Sequence, residues 1–282
     1  MAFRDLLLQI DTYPTPAPEA VIEEAVLLAA SLGGKVTGLA FEIELALHSN
    51  RLADYLIGLS AMAAAEEARS RQACQDVLVH FIDRAKAAGV YKNAISSKAN
   101  HYDVAGEVAK VARTYDLCLL PLVDGPDGQL EIAQSVVFES GRPMLTFRPG
   151  TATALTEGPN EVVVAWDGSR NAARALADAL PILVRAKHVR ILTVLNEKPG
   201  VLSTTGAQAR RHLAAYDINA TLDEVDASGE TIGTAFDRYL ERTAPDLLVM
   251  GAYGHSRTQE FLLGGATQHM LARPPCPVLL SH

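Results

Sequence analysis

A glycine-spaced loop near the C-terminus carries the residue types best suited to hold a ligand. Gly251 and Gly254 follow a short apolar run, and nine residues separate them from a second small-residue segment, Gly264–Thr267, which opens a helical pattern. Glycine lets the backbone turn tightly and approach a ligand without a Cβ in the way. The first amides of a helix are unpaired and favour anions. The spacing predicts a phosphate cradle, although the same glycines also suit a tight turn with close helix packing.

Other polar and aromatic residues lie near this loop in the predicted fold. His255 and Arg257 can neutralise phosphates, and both are equally typical of a solvated loop. Asp167 ends an apolar run and can bind a ribose or help hold a divalent ion, or it can cap the following helix. Trp166, the only tryptophan, lies inside a strand pattern, where a core role is more typical than ring stacking on a ligand.

The elements that must position this loop recur in both halves of the chain. The runs Leu6–Ile10 and Val162–Trp166 are apolar apart from Gln9, as expected for a strand buried on both faces, and each is followed by Asp. Helical patterns follow each run. Further strands are predicted at Lys35–Phe41, Ala94–Lys98, Val189–Leu195 and Thr221–Glu224.

The two halves also match at their ends. Asp116 and Asp246 each begin an apolar run that follows a helical pattern, and each half closes on a proline-led strand, Pro143–Phe147 or Pro277–Ser281. Strands that alternate with helices form parallel sheets. The sequence therefore predicts an α/β protein of two tandem doubly wound domains, each with a five-stranded parallel sheet flanked by helices.

Differences between the halves set the predicted boundaries. Gly150–Pro159 is small, polar and bounded by Gly and Pro, which is typical of a linker, so we expect domains at residues 1–149 and 160–282. The first half is 26 residues longer between its two aspartates, 105 positions against 79, and the excess falls near Glu44–Arg69, where additional helix is expected.

The first half lacks the glycine loop. Pro121 stands where the first glycine would be and removes a backbone donor, while Asp124 and Asp127 add negative charge. The segment is also four residues shorter than its counterpart. We expect no nucleotide in this half.

Composition narrows the function classes. The chain has 282 residues and a formal net charge of −8, which disfavours a nucleic-acid partner. Its three cysteines lack metal-site spacing and its apolar runs are too short for a membrane span, so a cytoplasmic protein without a membrane partner is expected. There is no G-x-S-x-G motif and no His-x-His or His-x-x-x-His pair, so we expect no catalytic triad and no metal site.

The loop spacing G-x-x-G, nine residues, then G with a small residue resembles the signature of the universal stress protein family. The segments Val163–Ser169 and Cys276–Leu280 are also similar to that family. The resemblance covers the C-terminal half fully and the N-terminal half in outline. It implies a tandem member with an adenine nucleotide alpha hydrolase-like fold.

The resemblance also implies a ligand, ATP with or without Mg²⁺. By that resemblance, adenine and ribose lie near Ala165, Trp166, Asp167, Val194 and Met250. The nucleotide is also contacted by Gly251 and Gly254. The phosphates are held by Gly264, Gly265, Ala266 and Thr267. The family has Ser or Thr where this chain has Gly265. A missing hydrogen bond to a charged group costs about 1.5–3 kcal/mol, and Thr267 is the nearest residue that can replace the hydroxyl.

The function implied is an ATP-binding regulatory protein of the stress response. An interaction module without nucleotide and a slow ATPase remain the alternatives. The resemblance further implies dimerisation through last strands, which Met144–Phe147 and Val278–Ser281 can satisfy within one chain. Whether two chains also form a homodimer stays open.

Overall fold

The computed structural model describes residues 2–45, 59–123, 128–196, 204–227, 229–252 and 265–282. The strands are β1 Asp5–Gln9, β2 Lys35–Glu44, β3 Tyr91–Asn100, β4 Leu117–Pro121, β5 Met144–Phe147, β6 Glu161–Ala165, β7 His188–Leu195, β8 Ala220–Asp226, β9 Leu247–Gly251 and β10 Val278–Ser281. The helices are α1 Glu19–Leu32, α2 Leu59–Ala87, α3 Val104–Ala112, α4 Gly128–Glu139, α5 Thr153–Glu157, α6 Arg170–Leu183, α7 Thr204–Ala214, α8 Ile232–Thr243 and α9 Gly265–Ala272.

The ten strands form one sheet in the order β3-β2-β1-β4-β5-β10-β9-β6-β7-β8. All pairings within each half are parallel, and both halves have the same strand order. The halves meet where β10 runs antiparallel to β5, with Leu279 opposite Leu145. The predicted α/β fold, with a mostly parallel sheet flanked by helices, is confirmed, and the two five-stranded halves share a continuous sheet.

Burial on both faces explains the apolar strands. In β1, Leu6 and Leu8 pack into the core layer that contains α1, α2, α6 and α7, while Leu7 packs into the opposite layer, which contains α3, α4, α8 and α9. All three side chains are fully buried. Helices therefore cover both faces of the sheet, and the edge formed by the carboxyl ends of the strands is left for loops.

Asp116 and Asp246 have the same structural role in their halves. Oδ2 of Asp116 accepts hydrogen bonds from the backbone amides of Arg4 (2.8 Å) and Asp5 (3.0 Å). Oδ2 of Asp246 accepts from the amides of Asn160 (2.6 Å) and Glu161 (3.0 Å). Each carboxylate thus ties the start of a fourth strand to the start of the first strand beside it.

The segment expected to be a plain linker is ordered and docked. It contains the short helix α5, and its Leu155 is buried in the core beside α1. The carboxylate of Glu24 on α1 accepts hydrogen bonds from the amides of Gly150 (2.7 Å) and Ala152 (2.8 Å). The segment that joins β5 to β6 thus contains a short helix that the sequence did not predict, and the linker interpretation and the domain boundaries at 149 and 160 stay predictions.

The insertion in the first half lies only partly within the described residues. Helix α2 starts at Leu59 and runs for 29 residues, so it includes the C-terminal end of the predicted insertion. Residues 46–58 lie outside the described part of the chain. None of the described helices combines the length and apolar character needed to cross a membrane.

Candidate functional site

Three residues expected near an adenine ring come together at the carboxyl edge of the C-terminal half. Ala165 at the end of β6, Val194 in β7 and Met250 in β9 all belong to the core layer of α8 and α9. Met250 is 4% exposed, while Ala165 and Val194 are half-buried. These three residues, called here the apolar wall, therefore share one face of the sheet, and Ala266 in the first turn of α9 packs against the same layer.

Trp166 lies on the other side of the sheet. Its ring is half-buried and packs against the layer of α1, α6 and α7. Its backbone amide donates to the carbonyl of Leu192 at 2.8 Å. Because side chains alternate along a strand, the ring of Trp166 does not join Ala165 and Val194, and core packing is the role that the structure supports.

Asp167 shapes the turn between β6 and α6. Its Oδ1 accepts a hydrogen bond from the amide of Ser169 at 2.9 Å, across Gly168, which has φ of 77°. The Ser169 hydroxyl in turn accepts from the amide of Ala172 at 3.1 Å and caps α6. Asp167 therefore has the turn-capping role that was its alternative interpretation, and its half-exposed carboxylate remains at the site edge.

Gly251 is required by packing alone. A Cβ at this position would lie 2.4 Å from the backbone nitrogen of Ala172 and 2.4 Å from the carbonyl carbon of Asn171. The Asn171 side-chain amide also donates to the carbonyl of Ala252 at 2.6 Å. The end of β9 thus lies directly against the first turn of α6, so Gly251 is explained without a ligand.

Gly265 has no comparable packing reason. It is the exposed first residue of α9, and a Cβ there would meet only Ile232 Cγ2, at an ordinary 3.5 Å. Ala266 is half-buried, and Thr267 is 3% exposed. The Thr267 hydroxyl is thus far less accessible than a hydroxyl at position 265 would be, which weakens the idea that Thr267 replaces it.

The position of α9 is set by its contact with α8. His269 Nε2 lies 2.8 Å from Asp237 Oδ2. Gly233 lies beneath the His269 ring, where a Cβ would come within 2.8 Å of the ring atoms. This pair was not expected from the sequence, because Asp237 and His269 are 32 residues apart and belong to no recognisable motif.

Part of the expected site lies outside the described residues, namely Gly254, His255, Arg257 and Gly264. Their roles stay predictions, as do those of Asp124 and Asp127 in the first half. Within the described ranges, no group of three or more His, Cys, Asp or Glu side chains is arranged to hold a metal ion. Burial raises the pKa of the Cys118 thiol to about 12 and that of Cys276 to about 12, so neither is a thiolate nucleophile near neutral pH.

The N-terminal half has a cleft of its own at the same edge of the sheet, which the sequence did not predict. Its volume is about 390 Å³. It lies between the loop after β1, the ends of β2 and β4, and the first turns of α3 and α4. The available signal was the proline-rich segment Pro14–Pro18, which follows β1 and lines one wall.

Comparison with known proteins identifies a family that the C-terminal half matches. Residues 159–282 match the model of the Universal stress protein family. A curated universal stress protein of Synechocystis sp. is 29% identical over 122 residues, and the match spans 42% of this chain and 41% of that protein. It therefore covers less than half of the relative.

A solved structure that covers nearly the whole chain shares its fold. A universal stress protein from Archaeoglobus fulgidus DSM 4304 has a TM-score of 0.67 to this chain at 17% identity, covering 98% of this chain and 97% of that one. A universal stress protein solved in complex with cAMP is 23% identical, with a TM-score of 0.37, and covers 44% of this chain and 98% of that one. The C-terminal half is a universal stress protein domain, in a chain whose two halves together share the fold of that family.

Proposed function

We propose that the C-terminal half binds an adenine nucleotide, ATP, and that the chain is a nucleotide-binding regulatory protein of the stress response. The observation that carries the proposal is the exposed start of α9 beside the apolar wall of Ala165, Val194 and Met250. Unpaired amides and the helix dipole at such a start attract phosphate, while an apolar wall suits a base.

The topology supports the same position. Within the sheet, β7 and β8 lie on one side of β6, and β9 and β10 lie on the other side of β6. Ligands of doubly wound sheets bind at the carboxyl ends of the strands where the order reverses, here between β6 and β9. Asp167 follows β6 and Gly251 ends β9, so both flank this point.

The residues present fit ATP in their chemistry. The amides at Gly265 and Ala266 would hold phosphate, with Gly254, His255, Arg257 and Gly264 of the preceding loop as further proposed contacts. Asp167 is the proposed partner of the ribose or of Mg²⁺. Bound Mg²⁺ would neutralise phosphate charge. The absent hydroxyl at Gly265 leaves the backbone donors in place.

The remaining parts of the proposal concern use and assembly. We expect binding rather than rapid turnover, in a cytoplasmic protein with domains at residues 1–149 and 160–282. The pairing of β5 with β10 occupies the last strand of each half within one chain. A further homodimer would therefore need a different surface from those two strands.

A matched pair of variants tests the nucleotide site in the full chain. Gly265 and Gly128 are the first residues of α9 and α4, and a Cβ at 128 meets nothing within 4 Å. Aspartate at a helix start favours the helix, so Gly265→Asp and Gly128→Asp should both fold. Calorimetric titration with MgATP should show binding to the wild type and to Gly128→Asp. Binding to Gly265→Asp should be weaker by about thirtyfold or more, because the new carboxylate faces the phosphates.

Three other results would overturn or change the proposal. If millimolar MgATP gives neither heat of binding nor thermal stabilisation of the wild type, the remaining function is that of an interaction module without nucleotide. Steady phosphate release that disappears in Gly265→Asp would indicate the slow ATPase. Tighter binding of cAMP than of ATP would replace ATP as the ligand and keep the site.

A further inference from the structure

The cleft of the N-terminal half, called here the N-terminal cleft, is lined by described residues from every element at its edge. The set comprises Gln9–Pro18, Phe41, Ile43, His101, Val104, Ala105, Val123, Gly128, Gln129, Glu131 and Ile132. Its volume of about 390 Å³ suits one small organic molecule.

The floor of the cleft presents hydrogen-bond acceptors. Asp11 accepts through Oδ1 from the side-chain amide of Gln9 at 2.8 Å and through Oδ2 from the side-chain amide of Gln129. The backbone amide of Val123 donates to Gln129 Oε1 at 2.8 Å, which fixes the direction of the Gln129 amide. The Asp11 carboxylate is therefore held in place by side chains from both sides.

One of these acceptors is incomplete. Gln9 is 2% exposed, and its Oε1 has no hydrogen-bond partner among the described residues. A buried polar atom without a partner is costly, and such atoms are commonly satisfied by a ligand or by water. Gln9 Oε1 is itself buried, so a ligand in the cleft would contact the Asp11 carboxylate, and the unpartnered acceptor of Gln9 beside it would add to the preference for a ligand with N–H donors or positive charge.

The charge of the lining selects against anions. The described lining residues include two carboxylates, Asp11 and Glu131, and neither lysine nor arginine. The start of α4 at Gly128 also opens here and on its own would favour an anion. These two carboxylates oppose the roughly half positive charge of the helix end, so the cleft disfavours phosphate and favours a cation.

The rim and the walls favour a flat ring. Tyr13 and His101 meet edge to face with centroids 5.5 Å apart, and Tyr102 continues the row at 5.6 Å from His101. Phe41 and Ile43, which are 3% and 4% exposed, also line the cleft with apolar side chains. Aromatic rings at this spacing pack well against another planar ring.

We propose that the N-terminal cleft binds a planar aromatic molecule that carries N–H donors and no negative charge, such as an arylamidine or an aromatic amine. The donor group lies against Asp11, and the ring lies between Phe41 and the Tyr13–His101 pair. This site is separate from the nucleotide site of the C-terminal half, and neither proposal depends on the other.

Benzamidine and benzoate test the proposal, because they share a planar ring and differ in charge and donors. Titration of the full chain, followed by calorimetry, should show binding of benzamidine at submillimolar to millimolar concentration and none of benzoate. Asp11→Asn should weaken benzamidine by about tenfold or more, since one charge-assisted contact is lost. Asp167→Asn, at the corresponding position of the other half, should leave it unchanged.

The test remains decisive if one variant is altered in structure. Asp11→Asn can be accommodated by rotating the Gln9 amide, because the new amide can then donate to Gln9 Oε1. Glu131→Gln changes an exposed residue at the cleft mouth and should weaken benzamidine by about threefold, as expected for a more distant charge. Gly265→Asp should bind benzamidine like the wild type even where it has lost ATP.

Three results would overturn the proposal. The first is no binding of benzamidine at millimolar concentration. The second is binding of benzoate as tight as that of benzamidine. The third is benzamidine affinity that is equal in the wild type and in Asp11→Asn, with both proteins showing the same circular dichroism spectrum.

Discussion

The carboxyl edges of the two halves differ although the sheets beneath them match. Nine residues separate β1 from α1, whereas four separate β6 from α6. β4 ends at Pro121, while β9 ends at Gly251, whose missing Cβ lets α6 approach closely. The short loop brings the first turn of α6 directly against the end of β9, whereas the longer loop lines a cleft in the N-terminal half.

The comparison shows which features a duplicated fold retains. Asp116 and Asp246 hold corresponding strand starts with corresponding hydrogen bonds, so the framework is the same in both halves. Asp11 and Asp167 follow corresponding strands but differ in their contacts, since Asp11 accepts from two glutamine side chains and Asp167 accepts from a backbone amide. The carboxyl edge of the sheet has diverged while the scaffold has not, as expected when function depends on the site rather than on the fold.

The largest expected effect concerns the close contact between the end of β9 and the first turn of α6. Gly251→Ala should destabilise the chain by about 3 kcal/mol or more, because its Cβ would overlap the backbone of α6. Chemical denaturation monitored by circular dichroism measures the change. Gly265→Ala is the matched control and should be neutral or slightly stabilising, since alanine favours a helix more than glycine. Equal midpoints for Gly251→Ala and the wild type would contradict the close contact.

The shared framework predicts equal losses in the two halves. Asp116→Ala and Asp246→Ala each remove one acceptor of two backbone amides, so each should cost about 1.5–3 kcal/mol. Thermal unfolding of the two variants and of the wild type provides the measurement. A large loss for one variant and none for the other would show that the two aspartates are not structural equivalents.

A smaller effect is expected on the affinity of the proposed nucleotide site for MgATP. Gly265→Ser supplies the hydroxyl found at this position in the family, and should raise the affinity for MgATP about tenfold, or about 1.4 kcal/mol. Gly128→Ser makes the same change at the start of α4 and should leave the affinity as it is. An unchanged or lower affinity in Gly265→Ser would place the phosphates elsewhere.

The smallest effect concerns Asp11 and its pH dependence. Burial raises the pKa of the Asp11 carboxyl above its ordinary value, against the opposing hydrogen bonds of Gln129 and Gln9. A raised folded-state pKa means that the protonated carboxyl contributes stability at acid pH, and that this contribution is lost as the pH rises through the folded-state value. Asp11→Asn should therefore be at least as stable as the wild type at neutral pH, with its relative advantage falling as the solution is acidified. Urea unfolding at neutral pH and at acid pH measures the difference in stability between Asp11→Asn and the wild type. The expectation fails if the variant is less stable than the wild type at neutral pH and not at acid pH.

Much of the fold could be predicted from the sequence because buried parallel strands are continuous apolar runs. Val189–Leu195 was expected and His188–Leu195 is observed; Lys35–Phe41 was expected and Lys35–Glu44 is observed. The helix Thr153–Glu157 escaped detection because five residues are too few to show a helical period.

The candidate sites were less predictable, for physical reasons. Gly251 fits a glycine-loop signature, yet its requirement comes from a helix backbone that only the folded chain brings near. The N-terminal cleft depends on Asp11 and Gln129, which are 118 residues apart and meet only when β1 and β4 pair. The ring of Trp166 could be assigned to a face only once the register of β6 was known.

The most direct test of the central claim is the number of ATP molecules bound by one full chain. Native mass spectrometry at saturating MgATP should show a single ATP per chain, and none for Gly265→Asp, because Asp11 and Glu131 line the N-terminal cleft together with the start of α4, whereas the start of α9 is exposed. Two ATP molecules per chain, or one that persists in Gly265→Asp, would contradict the division of roles between the two halves.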